Sequence, residues 1–238
     1  MPDPVSPLLS IAGLRSGYGG KPVLQGIDLA VRDREITAVI GRNGVGKSTL
    51  MKSIIGLLPA TAGTIGFDGR AIEGETPHAR ARRGIGYVPQ GRDVFPRMSV
   101  EENLRVGLSI SGAARADFEP VYRFFPILKE RRRQAAGTLS GGQQQQLALG
   151  RVLVGRPALL LLDEPSEGIQ PSIVQDIARI VVELNRTTGL TVVLVEQNID
   201  MIRAMAQRCY VMDKGRIVAE LTPAMLDDPA VVRRHLAV

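Results

Sequence analysis

The chain has 238 residues and a mass of 25.7 kDa, enough for one large domain or two small ones with a real buried core. Apolar residues make up 44% and charged residues 23%, an ordinary globular composition that excludes a disordered or collagen-like chain. The net charge is +6, but only 4% of residues are aromatic and there is no tryptophan, so too few rings exist to stack bases and no nucleic-acid partner is expected.

Met1–Ser10 shows no basic stretch ahead of an apolar core, so no secretory leader is expected. Val5–Arg15 and Ile27–Arg32 alternate loosely and read as strands, with Gly17–Gly20 as the turn between them. Ile36–Ile40 is a short β-branched run and reads as a buried strand. Gly41–Gly46 breaks it, and Lys47–Leu58 reads as a helix stopped at Pro59. A β segment is expected around Thr64–Asp68. The Arg-rich stretch His78–Gly84 reads as a solvated helix end or loop, and Ile85–Val88 as a strand closed by Pro89.

From Gly91 to about Arg156 no strong strand is visible. Val100–Leu108, Phe118–Leu128 and Gln143–Leu153 carry helical spacing, so this block reads as a helical insertion. Strand character returns at Ala158–Leu162, Thr191–Val195 and Arg208–Met212, separated by helices at Ser172–Asn185 and Ile199–Ala206. The lone cysteine, Cys209, cannot form an internal disulfide and reads as a small buried hydrophobe on the last of these strands. Strands alternating with helices imply an α/β fold with a mainly parallel core sheet covered on both faces. No apolar run approaches the about 18–20 residues that span a bilayer. Together these features fit a cytoplasmic protein.

Three motifs carry chemistry. Gly41-Arg42-Asn43-Gly44-Val45-Gly46-Lys47-Ser48 fits Gly-x4-Gly-Lys-[Ser/Thr], between a buried strand and a helix. Its glycines let successive N–H groups point inward at phosphate oxygens, and the following helix adds its positive end. In such a loop Lys47 reaches the β- and γ-phosphates and the Ser48 hydroxyl ligates Mg²⁺. The second motif, Leu159-Leu160-Leu161-Leu162-Asp163-Glu164, is an apolar strand ending in two acids. Asp163 at the tip is placed to hold Mg²⁺, and Glu164 to polarise an attacking water. The third, Leu139-Ser140-Gly141-Gly142-Gln143, opens a helix that Ser140 caps, with glycines that expose N–H groups to an anion.

Together these motifs resemble the set that defines ABC-transporter ATPases, over about Leu8–Gly215. The resemblance implies the P-loop NTPase fold of that family, with an N-terminal antiparallel β region and a helical subdomain. Residues 1–238 then form a single nucleotide-binding domain, with 1–90 and 157–238 as catalytic core and about 91–156 as the helical signature part. ATP and Mg²⁺ are the implied ligands, with Thr49 next to Ser48 also at the phosphates. Leu139–Gln143 resembles the family signature. Gln90, after Tyr87-Val88-Pro89, resembles the glutamine that touches Mg²⁺ and meets the membrane subunit, and Tyr18 the aromatic that stacks on adenine. The family works as a head-to-tail dimer in which the phosphate loop of one chain faces the Ser-Gly-Gly of the other. Two permeases and an external solute receptor complete an importer, with the ATPase held peripherally on the cytoplasmic face of the membrane.

Finer features resemble the branched-chain amino acid importer group: Pro89-Gln90-Gly91-Arg92, Glu196-Gln197-Asn198, and Glu164 through Pro171. Gln143–Gln146 and Glu167-Gly168-Ile169-Gln170-Pro171-Ser172 look more like its urea branch, specifically the second ATPase of that system, whose partner is a different ATPase subunit. Urea or a related small amide is the expected cargo, with branched-chain amino acids as the alternative. Two departures from the general family stand out. The switch position carries Gln197 instead of histidine, which removes a chargeable group from the γ-phosphate side and predicts a weaker site. The two histidines, His78 and His235, lie elsewhere and are expected on the surface. The usual Ser-Ala-Leu-Asp loop is replaced after Ser166 by Glu167-Gly168-Ile169-Gln170. A DNA-associated SMC or repair-type ATPase shares the phosphate loop and signature, but needs a coiled-coil arm. The stretch between Lys47 and Ser140 is too short for one and carries no heptads.

Overall fold

Two glycines set the first hairpin in the computed structural model, which describes residues 7–111 and 117–236. Strand β1 (Leu9–Tyr18) pairs antiparallel with β2 (Lys21–Val31) through Gly19 and Gly20, at φ 55° and 77°. A two-residue turn with both centres at positive φ matches the twist of the strands it joins. Strand β1 thus runs on to Tyr18, past the expected Arg15, β2 starts at Lys21, ahead of the expected Ile27, and Gly17 lies inside β1 instead of the turn. Val5, which opened the expected strand, and the His235 side chain lie outside the described residues. Strands β3 (Ile36–Ile40), β4 (Ala62–Phe67) and β5 (Arg70–Ala71) follow. The first two strands with β4 and β5 form a four-stranded antiparallel sheet, ordered β2-β1-β4-β5.

The second sheet is built on β3. It adds β6 (Ile85–Val88), β7 (Leu159–Asp163), β8 (Thr191–Glu196), β9 (Arg208–Asp213) and β10 (Arg216–Leu221), ordered β10-β9-β3-β8-β7-β6. All its pairings are parallel except β9 with β10. Its central strands are buried on both faces. Val39, Leu159, Leu161, Val193 and Val195 face the antiparallel sheet. Ala38, Ile40, Leu160, Leu162, Val192 and Leu194 face the helices on the other side. That alternation within solidly apolar runs marks a parallel sheet between two layers. Strand β10 was not visible in the sequence. Its side chains alternate between solvent and sheet, but the exposed position between Ile217 and Ala219 carries the apolar Val218, so the residues do not read as alternating.

Helix α1 (Lys47–Ile55) lies between the sheets, burying Leu50, Met51 and Ile54. It stops at Gly56 (φ 88°), earlier than the expected Leu58. Helix α2 (Pro77–Arg82) begins at Thr76, whose hydroxyl accepts from Ala79 N–H. The Arg-rich stretch there is not wholly solvated as expected: Arg80 is 1% exposed. Its guanidinium donates to the carbonyls of Ser53 (2.7 Å), Ile54 (2.9 Å), Glu73 (2.8 Å) and Glu75 (3.1 Å). It therefore satisfies the carbonyl end of α1, where a cation is also favoured by the helix dipole. His78, Arg82 and Arg83 are the solvated members.

The helical insertion contains α3 (Val100–Ser111), α4 (Glu119–Phe124), α5 (Pro126–Glu130) and α6 (Gly141–Leu153). The single helix expected at Phe118–Leu128 is two. Phe125, at φ −128° and ψ 72°, leaves helical geometry because a proline follows it. Leu104, Val121 and Leu128 close around Gly150, where a Cβ would stand 3.0–3.2 Å from all three. Helices α7 (Pro171–Thr188) and α8 (Ile199–Met205) pack on the parallel sheet, and α9 (Pro229–Leu236) ends the described chain. Cys209 is fully buried on β9, which pushes its thiol up to about 12. Among the described residues, no helix is long and apolar enough to cross a membrane.

Candidate active site

Strand order brings the motifs together. In the run β3-β8-β7-β6 the carboxyl ends lie side by side, and each releases a motif: Gly41–Gly46, Gln197, Asp163-Glu164 and Gln90. A ligand site outside the carboxyl ends of parallel strands is what this topology favours.

The loop after β3 needs its glycines. A Cβ on Gly41 would lie 2.3 Å from the Met212 carbonyl oxygen, and Gly44 and Gly46 have φ of 79° and 110°. Gly46 caps α1, so the helix N-terminus opens into the loop. Arg42, Asn43 and Gly44 form an exposed rim, whereas Val45 and Thr49 are buried beneath it. The Lys47 side chain is 3% exposed. Its Nζ donates to the carbonyls of Gly41 (2.9 Å) and Arg42 (3.0 Å) and stands 3.3 Å from Glu164 Oε1. An ammonium held by two carbonyl oxygens beside a helix N-terminus fits a phosphate chain.

Ser48 Oγ donates to Asp163 Oδ1 at 3.0 Å, and Tyr87 OH to Oδ2 at 3.2 Å. Asp163 is 1% exposed and, among the described residues, forms no ion pair. Burial pushes its carboxyl above the ordinary aspartate range, and the Ser48 and Tyr87 hydrogen bonds oppose that shift. Burial first, and then the Asp163 charge, raises the Tyr87 phenol. A buried carboxylate with no cationic partner, beside a hydroxyl, is a hard-oxygen donor set that fits Mg²⁺.

Glu164 has a φ of 47°, and its N–H donates to Val195 O at 2.8 Å. This left-handed residue turns the second acid out of the strand and into the site. Besides the Lys47 contact, Glu164 Oε1 accepts from Gln197 Nε2 at 3.1 Å and Oε2 from Gln90 Nε2 at 3.4 Å. Gln197 Nε2 also donates to Asn43 Oδ1 at 2.6 Å. Thus Lys47, Gln90 and Gln197, predicted from three separate motifs, meet around the Glu164 carboxylate, with Asn43 behind Gln197.

Two other sequence candidates, Tyr18 and Ser140–Gln143, make no side-chain hydrogen bond to this cluster among the described residues. Tyr18 ends β1 with its ring 48% exposed, open to a stacking partner. Ser140 caps α6: Gln143 N–H donates to Ser140 Oγ at 3.4 Å, and Ser140 N–H to Gln143 Oε1 at 3.1 Å. Gly142 packs so closely on α7 that a Cβ would meet Ile173 Cδ1 at 2.4 Å, whereas Ser140 is exposed and Gly141 partly so. Among the described residues, no hydrogen bond or ion pair links Ser140–Gln143 to Gly41–Ser48.

Four supporting residues escaped the motif reading. Tyr87 was seen only as a neighbour of Gln90. Glu196, 3% exposed, accepts from the N–H groups of Ser166, Gln197 and Asn198 and so shapes the switch loop. Glu167 accepts from Gln90, and Arg92 donates to the carbonyls of Glu167 and Gly168. All four sit in or beside quoted motifs, but only the fold shows what each touches.

The comparisons agree with this geometry. The ABC transporter family model matches residues 24–167. The high-affinity branched-chain amino acid transport ATP-binding protein BraG of Pseudomonas aeruginosa is 43% identical over 96% of this chain and 99% of its own length. The lipopolysaccharide export system ATP-binding protein LptB of Escherichia coli is 37% identical over 96% of each chain. A nucleotide-free ATP-binding cassette from an ABC transporter superposes with a TM-score of 0.83 at 29% identity, covering 95% of this chain and 97% of that one. The chain belongs to the ABC transporter family, as one of its ATP-hydrolysing cassettes.

Proposed function

We propose that this chain is the motor subunit of an importer of the branched-chain amino acid group. End-to-end identity of 43% with BraG is the observation that carries this reading. The site supports specific roles. The loop N–H groups of Gly41–Lys47 and the Lys47 ammonium hold the phosphates, with Ser48 and Thr49 following on the helix. Tyr18 stacks on the adenine. Ser48, Asp163 and Gln90 hold Mg²⁺, which when bound neutralises developing phosphate charge. Lys47 exchanges its two loop carbonyls for phosphate oxygens and releases Glu164. The freed carboxylate takes the proton of a water as its oxygen attacks the γ-phosphorus, and the bond to the ADP oxygen breaks. Gln197, anchored on Asn43, donates toward the γ-phosphate side.

Residues Ser140–Gln143 stand away from their own phosphate loop, which supports a head-to-tail dimer in which they cap the partner's nucleotide. Residues 91–156 form the arm that meets the permeases, and 1–90 with 157–238 the catalytic core. The partner is a second, different ATPase subunit, on two membrane permeases fed by an external receptor, at the cytoplasmic face. The urea reading rests on Gln143–Gln146 and on Glu167–Ser172, whose pattern differs from the general family loop. The test is ATP hydrolysis by the complex reconstituted in vesicles with receptor and leucine, urea or neither. Stimulation by leucine is expected; stimulation by urea alone moves the chain to the urea branch; stimulation by neither overturns the importer reading.

A further inference from the structure

We propose that Glu167, in the loop after the catalytic strand, is a positioning residue for Gln90. Gln90 Nε2 lies 2.8 Å from Glu167 Oε2 but 3.4 Å from Glu164 Oε2. A glutamine amide has a donor end and an acceptor end, and ionised carboxylates only accept. Glu167 therefore claims the NH₂ end, which leaves Oε1, the end a cation needs, turned away from the two acids. It also draws the amide off Glu164, whose Oε2 keeps only the longer contact.

The two loops are stitched in both directions. The Glu167 side chain reaches Gln90, and Arg92, two residues past Gln90, reaches back. Arg92 Nη2 donates to the carbonyls of Glu167 (3.2 Å) and Gly168 (3.1 Å). Glu167 N–H donates to Glu164 O at 3.2 Å, tying the stitch to the catalytic residue itself. Arg92 and Asp93 have φ of 74° and 46°, a backbone geometry that non-glycine residues hold only when surroundings impose it. Arg92 also touches the signature helix: a Cβ on Gly141 would lie 2.9 Å from its Nη1. The start of the signature helix therefore packs beside the arginine whose hydrogen bonds hold the Glu167 loop.

The inference rests on Gln90 serving the metal side of the site, so the test separates the two claims. Glu167 is exposed, so its replacement does not disturb the core. The first readout needs no ligand: the side-chain NH₂ resonances of Gln90 in nucleotide-free protein, assigned by their loss in Gln90→Ala. Glu167→Ala should shift that pair, and Glu167→Gln, which still offers an acceptor oxygen, should largely restore it. The second readout is the Mg²⁺ concentration for half-maximal ATP hydrolysis. Glu167→Ala should raise it about five- to tenfold, the scale of one charge-assisted hydrogen bond at a partly exposed site. The maximal rate should fall less than that requirement rises. In a Gln90→Ala background Glu167→Ala should add nothing. If Gln90→Ala raises the Mg²⁺ requirement but Glu167→Ala moves neither readout, positioning by Glu167 is wrong. If Gln90→Ala leaves the requirement unchanged, the role given to Gln90 is wrong and the inference falls with it.

Discussion

The two sides of the active site are built differently. On the phosphate side, Lys47, Ser48 and Asp163 are held by elements whose own interiors are buried. Asp163 is 1% exposed between two hydroxyls, and the helix carrying Lys47 and Ser48 is pinned at its far end by the buried Arg80. On the water side, Gln90, Glu164, Glu167 and Gln197 are held mostly by one another, through side-chain hydrogen bonds exposed to solvent. Buried contacts of the first kind are fixed when the chain folds. Exchangeable contacts of the second kind are individually weak and compete with water. The molecule thus fixes the part that grips and leaves adjustable the part that reacts.

The sharpest test of that division is Glu164→Gln. The substitution keeps size and shape but removes the proton acceptor. Hydrolysis should fall about 10²–10⁴-fold, the usual contribution of a positioned general base. Nucleotide affinity should not fall, because the grip belongs to the other side and the substitution only frees Lys47 from its carboxylate partner. Single-turnover phosphate release and a fluorescent-nucleotide titration measure the two separately. A loss of affinity as large as the loss of rate would mean that the sides are not independent.

Arg80→Ala probes the fixed side from a distance. It removes a donor from four carbonyls, two of them at the end of α1, where Ser53 O keeps only the Gly56 N–H, and opens a void where the side chain stood. The expected cost is about 3 kcal/mol, summed from unsatisfied groups and lost packing. Urea unfolding measures it, and Arg80→Lys should recover only part, because an ammonium cannot fork to four acceptors. A cost under about 1 kcal/mol would show that α1 needs no such pin.

The same division explains what was legible in the sequence. Gly41–Ser48 and Leu159–Glu164 were readable because the chemistry of phosphate and the burial of a strand each demand a run of particular residues. The order of β3, β8, β7 and β6 was not readable, and that order alone places Gln197 against Asn43 and Glu164. Arg80 looked like one more solvated arginine, because nothing local distinguishes it from Arg82 or Arg83. Two of its four acceptors, Ser53 and Ile54, lie on a helix 27 and 26 positions earlier. Glu167 was noticed as an oddity of its loop, but its partner Gln90 is 77 positions away. Strand β10 was missed because the apolar Val218 occupies one of its exposed positions and hides the alternation, and the helix break at Phe125 because periodicity outweighed the proline that follows it.

The smallest expected effect concerns Gln197, where the two sides touch beside the Lys47–Glu164 pair. Its NH₂ group makes two hydrogen bonds at once, to Asn43 on the grip and to Glu164 on the reacting side. An imidazole offers a single N–H at each ring nitrogen, so histidine there would keep one of these bonds and give up the other. In exchange it gains a charge that glutamine cannot carry. Free histidine titrates near 6.5, and a neighbouring carboxylate favours the charged form. Gln197→His should therefore raise turnover of the assembled transporter about two- to fivefold, the scale of one modest hydrogen bond. The gain should be larger at about pH 6 than at about pH 8, since the imidazolium is lost as pH rises past its pKa. Turnover unchanged across that range would mean that bridging the two sides matters more than the missing charge, and that Gln197 is no handicap to this site.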